Sequence, residues 1–192
     1  MKNNMIKNMI LAAMFLAAGL LLPFLTGQIP QFGNMMLPMH IPVLLCGLIC
    51  GWKYGLIIGL ILPGFRFFLF GSPPFLAPFP IGLAMTFELA AYGFFAGFLY
   101  QRSRWQCVIA LYRSMIIAMV AGRLVWGAVM ALFVPLGLSA GFSLAAFMAG
   151  ALLNAIPGII IQLTLIPVIM VTLNRAGLVK FRKEKAAKAE SQ

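Results

Sequence analysis

The sequence predicts an all-α membrane protein: six transmembrane helices in a compact bundle, with both termini cytoplasmic. Composition, segment length and the placement of charge carry that prediction. Of the 192 residues, 63% are hydrophobic and 9% charged, where a soluble domain would carry about a quarter charged residues. Six apolar segments, most of them long enough to cross hydrocarbon, fill nearly the whole chain. Lysine and arginine fall on alternate connections, the asymmetry that places basic loops in the cytoplasm. The net charge of +11 therefore reads as a topology signal and not as a nucleic-acid face. One membrane domain, 1–174, and a basic cytoplasmic tail, 175–192, account for the chain, as a multi-pass protein of the plasma membrane.

The first segment, 6–26, follows Lys2 and Lys7 and has the charge pattern of a signal peptide. Its apolar run of about 20 residues exceeds the usual signal core, and no small-x-small cleavage pattern follows, so it reads as a retained span. The second segment, 38–51, is short, and the third, 54–70, contains Pro63. Short or broken helices at membrane depth are tolerated mainly where they line a cavity. The remaining segments run over 80–99, 108–134 and 144–173.

Connections 27–37, 71–79 and 135–142 carry no charged residue. The first two are rich in Pro, Gly and aromatics and read as compact caps or tight outer turns. The other side holds Lys2, Lys7, Lys53, Arg102, Arg104 and the run from Arg175 to Lys188. The stretch Lys180-Phe181-Arg182-Lys183-Glu184-Lys185 reads as a solvated helix end near anionic headgroups, with docking to a cytoplasmic partner as the alternative.

Four ionisable side chains, His40, Arg66, Glu88 and Arg123, lie inside apolar segments. Charge in hydrocarbon is costly, so such residues face a bundle interior or a wet cavity. At about 1.5 Å of rise per residue, Arg66 stands roughly 18 Å and Arg123 roughly 22 Å above the cytoplasmic ends of their helices. Glu88 and Asn154 stand about 12 Å and about 15 Å below the outer ends of theirs, and His40 opens the second segment from outside. Five polar side chains on five helices are thus expected in the outer half of the membrane.

Helical faces agree with that convergence. Gly55, Gly59, Pro63 and Arg66 share one stripe suited to close backbone approach. Asn154, Gly158 and Gln162 share another. Trp126 and Gly127 lie one turn beyond Arg123, where Trp126 either floors a pocket or joins the outer aromatic belt. Glu88 is expected to pair with Arg66 or with Arg123, which leaves one cation over. Surplus positive charge in an outward cavity suits an anionic small molecule, with Asn154 and His40 fixing its polar groups. The candidate ligand site is therefore His40, Arg66, Glu88, Arg123, Trp126 and Asn154. Arg113, only about 8 Å from the cytoplasmic face, can snorkel.

Other chemistries find little support. Cys46 and Cys50 share a helix face but lack a nearby His or carboxylate, so they read as packing residues, and neither a metal nor a cofactor site is expected. With one His, no Asp and a single membrane Glu, metal hydrolysis and carboxylate-pair catalysis are close to excluded. A Ser–His pair would need His40 and an outer-loop serine (Ser72, Ser139 or Ser143). The chain is expected not to be an enzyme. A self-contained secondary transporter using Glu88 as its ion site is the alternative function, against which stand the small number of spans and the lack of a repeated half.

The run His40-Ile41-Pro42-Val43-Leu44-Leu45-Cys46-Gly47, leading into Gly51-Trp52-Lys53-Tyr54-Gly55-Leu56-Ile57-Ile58-Gly59, resembles the substrate-binding S components of energy-coupling-factor (ECF) vitamin transporters. The layout of spans is similar along essentially the whole chain. Ala13-Met14-Phe15-Leu16-Ala17 is similar to the Ala-x-x-x-Ala pattern with which S components touch their transmembrane coupling subunit, although small-xxx-small spacing is common in membrane helices. The resemblance implies capture of a water-soluble vitamin from outside, docking through Ala13 and Ala17 onto a coupling subunit driven by two ATPases, and toppling to release the ligand inside. The chain has no Gly-x-x-x-x-Gly-Lys-Ser/Thr loop of its own, which agrees with that division. The His-Ile-Pro-Val form is most similar to pantothenate-type members, while pyridoxine, niacin, hydroxymethylpyrimidine and queuosine precursors stay open.

Overall fold

In a computed structural model of the chain, the described residues are 2–26, 38–75, 80–136, 155–177 and 179. They form six helices and no β-strand: α1 (Lys2–Thr26), α2 (His40–Cys50), α3 (Trp52–Phe70), α4 (Ile81–Arg102), α5 (Val108–Phe133) and α6 (Ile156–Arg175). All but α2 are long and apolar enough to cross a membrane. The third element starts two residues earlier than the sequence suggests, because Gly51 at φ +106° turns the chain within one residue and lets α3 begin at once.

The short α2 is the centre of the bundle. Its 11 residues span about 16 Å, half a hydrocarbon core. Every one except Ile49 is buried, as expected of a helix that is apolar all round. Burial on all sides requires neighbours to approach closely, and glycine makes that possible. A Cβ on Gly47 would strike the Gly93 backbone, and one on Gly55 would come within 2.7 Å of Gly47 Cα and of Gly93 O. One on Gly97 would meet Trp52 Cα at 2.7 Å, and one on Gly59 would run into Leu89 and Ala90. Gly55 and Gly59 of the expected stripe thus bring the backbones of α3 and α4 together. Their order, 55 against 93 and 59 against 89, makes α3 and α4 antiparallel.

The other helices pack around this trio. On α1, Gly19 faces Leu62 of α3, Ala12 is buried, and Asn8 Nδ2 donates to Cys50 O at 3.4 Å. Cys46 and Cys50 lie in the apolar cluster with Ile58, Leu62 and Leu89, a packing role. On α5, the stripe of Leu111, Met115, Ala118 and Met119 joins Leu44, Leu48, Tyr92 and Ala96 in the main core, together with Ile166 and Met170 of α6. The inner face of α6 runs through Gly158, Gln162, Ile166 and Met170, one residue per turn.

Part of one expected cap is described. Gly71, at φ +68°, ends α3 with its N–H on Phe67 O at 2.8 Å. Phe75 then folds back to 5.1 Å from the Phe67 ring and over Gly82, whose N–H donates to Pro74 O at 2.8 Å. Residues 27–37, 76–79, 137–154 and nearly all of the basic tail lie outside the described residues.

Gly93→Ala should lower stability by about 1–3 kcal/mol, since its Cβ would enter the α3 backbone. Gly64→Ala, where nothing stands within 4 Å, should leave the melting temperature unchanged or raise it slightly. Thermal unfolding of the detergent-solubilised chain measures both; equal behaviour of the two variants would contradict the packing described.

Candidate functional site

A carboxyl group buried in an apolar bundle is costly without a partner, and the structure supplies one. Glu88 on α4 is 2% exposed, and its Oε1 lies 3.0 Å from Arg123 Nη1 of α5, a side chain only 15% exposed. His40, 1% exposed, brings Nε2 to 3.6 Å from the same oxygen. Of the two pairings expected for Glu88, the structure makes the one with Arg123. His40, Glu88 and Arg123 thus meet, from three helices.

The local sequence explains the meeting. Tyr92 lies one turn after Glu88 on the same face of α4, and its ring packs edge-on against His40, with centroids 4.9 Å apart and planes at 83°. Gly122, just before Arg123, leaves room for the Tyr92 ring against α5. A side chain there would push α5 away and carry Arg123 with it. The Tyr92 side chain lies within electrostatic reach of both Glu88 and Arg123. Sequence reading did not single out Tyr92 or Gly122; the spacing from Glu88 to Tyr92 was the available signal.

The cluster is electrostatically paired yet poor in aligned hydrogen bonds. Among the described residues, Glu88 Oε1, both His40 ring nitrogens, and Arg123 Nε and Nη2 have no hydrogen-bond partner, although all are buried. The 3.0 Å ion pair is close in distance but misaligned as a hydrogen bond. On α6, Gln162 is 1% exposed and both its amide atoms are likewise unsatisfied among the described residues. Each such atom costs about 1–3 kcal/mol when it has no partner. A group of them is therefore a place for ordered water or a ligand.

Arg66 does not join this cluster. Gly59 of α3 stands level with Leu89 of α4, and Arg66 lies two turns further on, about 10 Å beyond the Glu88 level. It is half-buried and makes no ion pair with a described residue. The depth estimate placed the two at one level because it started both helices flush with the membrane faces, whereas the glycine contacts set the register. Trp126 is half-buried one turn beyond Arg123. Asn154 lies outside the described residues.

Comparison with known protein families gives a match. The family model described as the ECF transporter, substrate-specific component, covers residues 7–170 of the chain. No curated protein and no solved structure matches it.

Replacing Glu88 by Gln should strand the Arg123 charge in the interior and cost about 3–5 kcal/mol, as should Arg123→Gln for the opposite reason. The double replacement should cost clearly less than the sum of the two. Thermal unfolding of the three variants forms the cycle, and strictly additive losses would show that the pair is not coupled.

Proposed function

The chain belongs to the ECF transporter substrate-specific component family, matched over residues 7–170, and on that premise we propose that it captures a small anionic vitamin or precursor, pantothenate being the best candidate, in an outward-facing pocket. The excess of cationic donors over carboxylates carries this reading. Glu88 engages one nitrogen of Arg123, while Arg123 Nε and Nη2 lack hydrogen-bond partners among the described residues, and Arg66 has no ion pair there. A ligand carboxylate matches unused guanidinium donors in charge and in planar geometry. The amide of Gln162 adds a donor and an acceptor for hydroxyl or amide groups. His40, Trp126 and Asn154 complete the proposed lining.

The same proposal covers topology and partners. The chain crosses the plasma membrane six times, with the short α2 as the buried core of the second crossing, and both termini face the cytoplasm, as the distribution of basic residues favours. ATP is consumed elsewhere: the chain acts as a binding subunit rather than an enzyme, and α1 docks on a transmembrane coupling subunit served by two ATPases. In support, Ala13 and Ala17 are exposed on α1, whereas Ala12 and Gly19 are turned into the bundle. Small exposed residues one turn apart let a partner helix approach closely. The rival reading, in which Glu88 is the ion site of a secondary transporter, is disfavoured because that carboxylate already sits between Arg123 and His40.

Arg66→Ala should weaken equilibrium binding of radiolabelled pantothenate to the purified chain by about tenfold, the loss of one charge-assisted hydrogen bond at a half-buried side chain, while leaving its melting temperature in place. Unchanged affinity would remove Arg66 from the site. Mass spectrometry of co-purifying small molecules tests the ligand class directly, and a cationic ligand would overturn the reading. Trp at Ala13 or Ala17 should spare binding and block ATP-dependent uptake in proteoliposomes holding the whole transporter. Normal uptake would sink the docking assignment.

A further inference from the structure

A second basic site lies away from the Glu88 cluster. Where α4 ends and α5 begins, a cavity of about 390 Å³ is lined by Arg102, Arg104 and Arg113 together with Ser103, Trp105 and Ile109. Three guanidinium groups around one cavity need counter-charge, and the chain has almost none to give. Its three acidic residues are Glu88, held by Arg123, and Glu184 and Glu190 in the tail. No described carboxylate lines the cavity.

The arginines are partly held in place. Arg102 lies over the Phe98 ring, 5.8 Å from its centroid. Arg113 reaches back from α5, as expected of a snorkelling side chain, and its Nη2 donates to Ser103 Oγ at 3.5 Å. Ser103 Oγ in turn donates to Trp105 O at 3.2 Å. The cavity also has a characteristic depth. Arg102 is the last residue of one candidate span and Val108 the first of the next, so it sits where hydrocarbon gives way to headgroups. Beside it, Trp105 is 59% and Ile109 80% exposed, an apolar wall running from the arginines down α5.

We propose that this cavity binds the phosphate headgroup of an anionic phospholipid, with the acyl chains lying along Ile109. Basic pockets between transmembrane helices hold such headgroups. The apolar wall favours a lipid over a soluble anion or an acidic peptide, neither of which has a tail to lay against it.

The test uses the full-length chain, delipidated in detergent, with bound phosphatidylglycerol counted by native mass spectrometry during a titration. Phosphatidylglycerol should bind saturably and phosphatidylcholine much more weakly. Combined Arg102→Ala, Arg104→Ala and Arg113→Ala should weaken phosphatidylglycerol about a hundredfold, as expected if each charge contributes about fivefold. Lys53→Ala, a basic residue at the same end of the bundle but outside the cavity, should change nothing. Should the triple variant fail to fold, Arg104→Glu alone, a change of two charge units, should weaken binding roughly twenty-five-fold. Wild-type affinity in the folded variants overturns the proposal, as does equal binding of phosphatidylcholine. Displacement of the lipid by millimolar inorganic phosphate would mark a soluble-anion site, and displacement by an acidic peptide a protein-docking site; either result also overturns it.

Discussion

The backbone contacts among Gly47, Gly55 and Gly93 set the positions of everything else in the bundle. An 11-residue helix is too short to span hydrocarbon upright, so α2 is stable at membrane depth only when protein surrounds it. Without side chains at these glycines, α3 and α4 close on α2 until backbone touches backbone. In lipid there is no hydrophobic gain from joining two helices, and close van der Waals packing has to take its place. Once α2 is fixed beside α4, its first residue, His40, has one location open to it, against Glu88 and Tyr92.

Charge follows from that arrangement. Glu88 is carried into the interior by the same helix that supplies Gly93 and Gly97, so its burial comes with the glycine packing. Arg123 reaches it because Gly122 accepts the Tyr92 ring. The result is a carboxylate satisfied in charge but not in hydrogen-bond geometry. A purely structural ion pair would be expected to align its donors, because misaligned buried donors cost free energy with no return. Unused nitrogens on Arg123, and an unused amide on Gln162, are the atoms on which the proposed ligand site rests.

How far the sequence could be read depended on the kind of signal. The six helices of the described residues were legible from hydropathy, since apolar length and period are local properties. The glycine stripe on α3 was legible for the same reason: Gly55 and Gly59 fall at helical spacing. The register between helices was not, because it arises from which glycines touch across α2, α3 and α4, a pairing no single segment encodes. That is why Arg66 and Glu88, level by counting residues, stand about two turns apart. The choice of Arg123 over Arg66 as partner for Glu88 follows from that register. Tyr92 was overlooked because an aromatic at core spacing looks like packing, and its part in the cluster shows only when His40 is brought beside it.

The glycine trio and the charge cluster are built from α2, α3, α4 and α5, and α1 supplies no residue to either but packs on α2 and α3 from outside. Its inward face packs Leu11, Ala12, Phe15, Leu16 and Leu20 on the apolar cluster shared by α2, α3 and α4, sets Gly19 against Leu62, and joins Asn8 to Cys50 O. Its outward face carries Met5, Ile6, Met9, Ile10 and Met14, all exposed. A partner helix seated on Ala13 and Ala17 would press on that outward face without displacing any backbone contact that positions His40, Glu88 or Arg123. Binding at the cluster and docking at α1 would then be alterable one at a time. On the proposed reading, a capture subunit built this way would keep its affinity in the membrane, free or docked, because the face a partner would press on is not the face that positions the charge cluster.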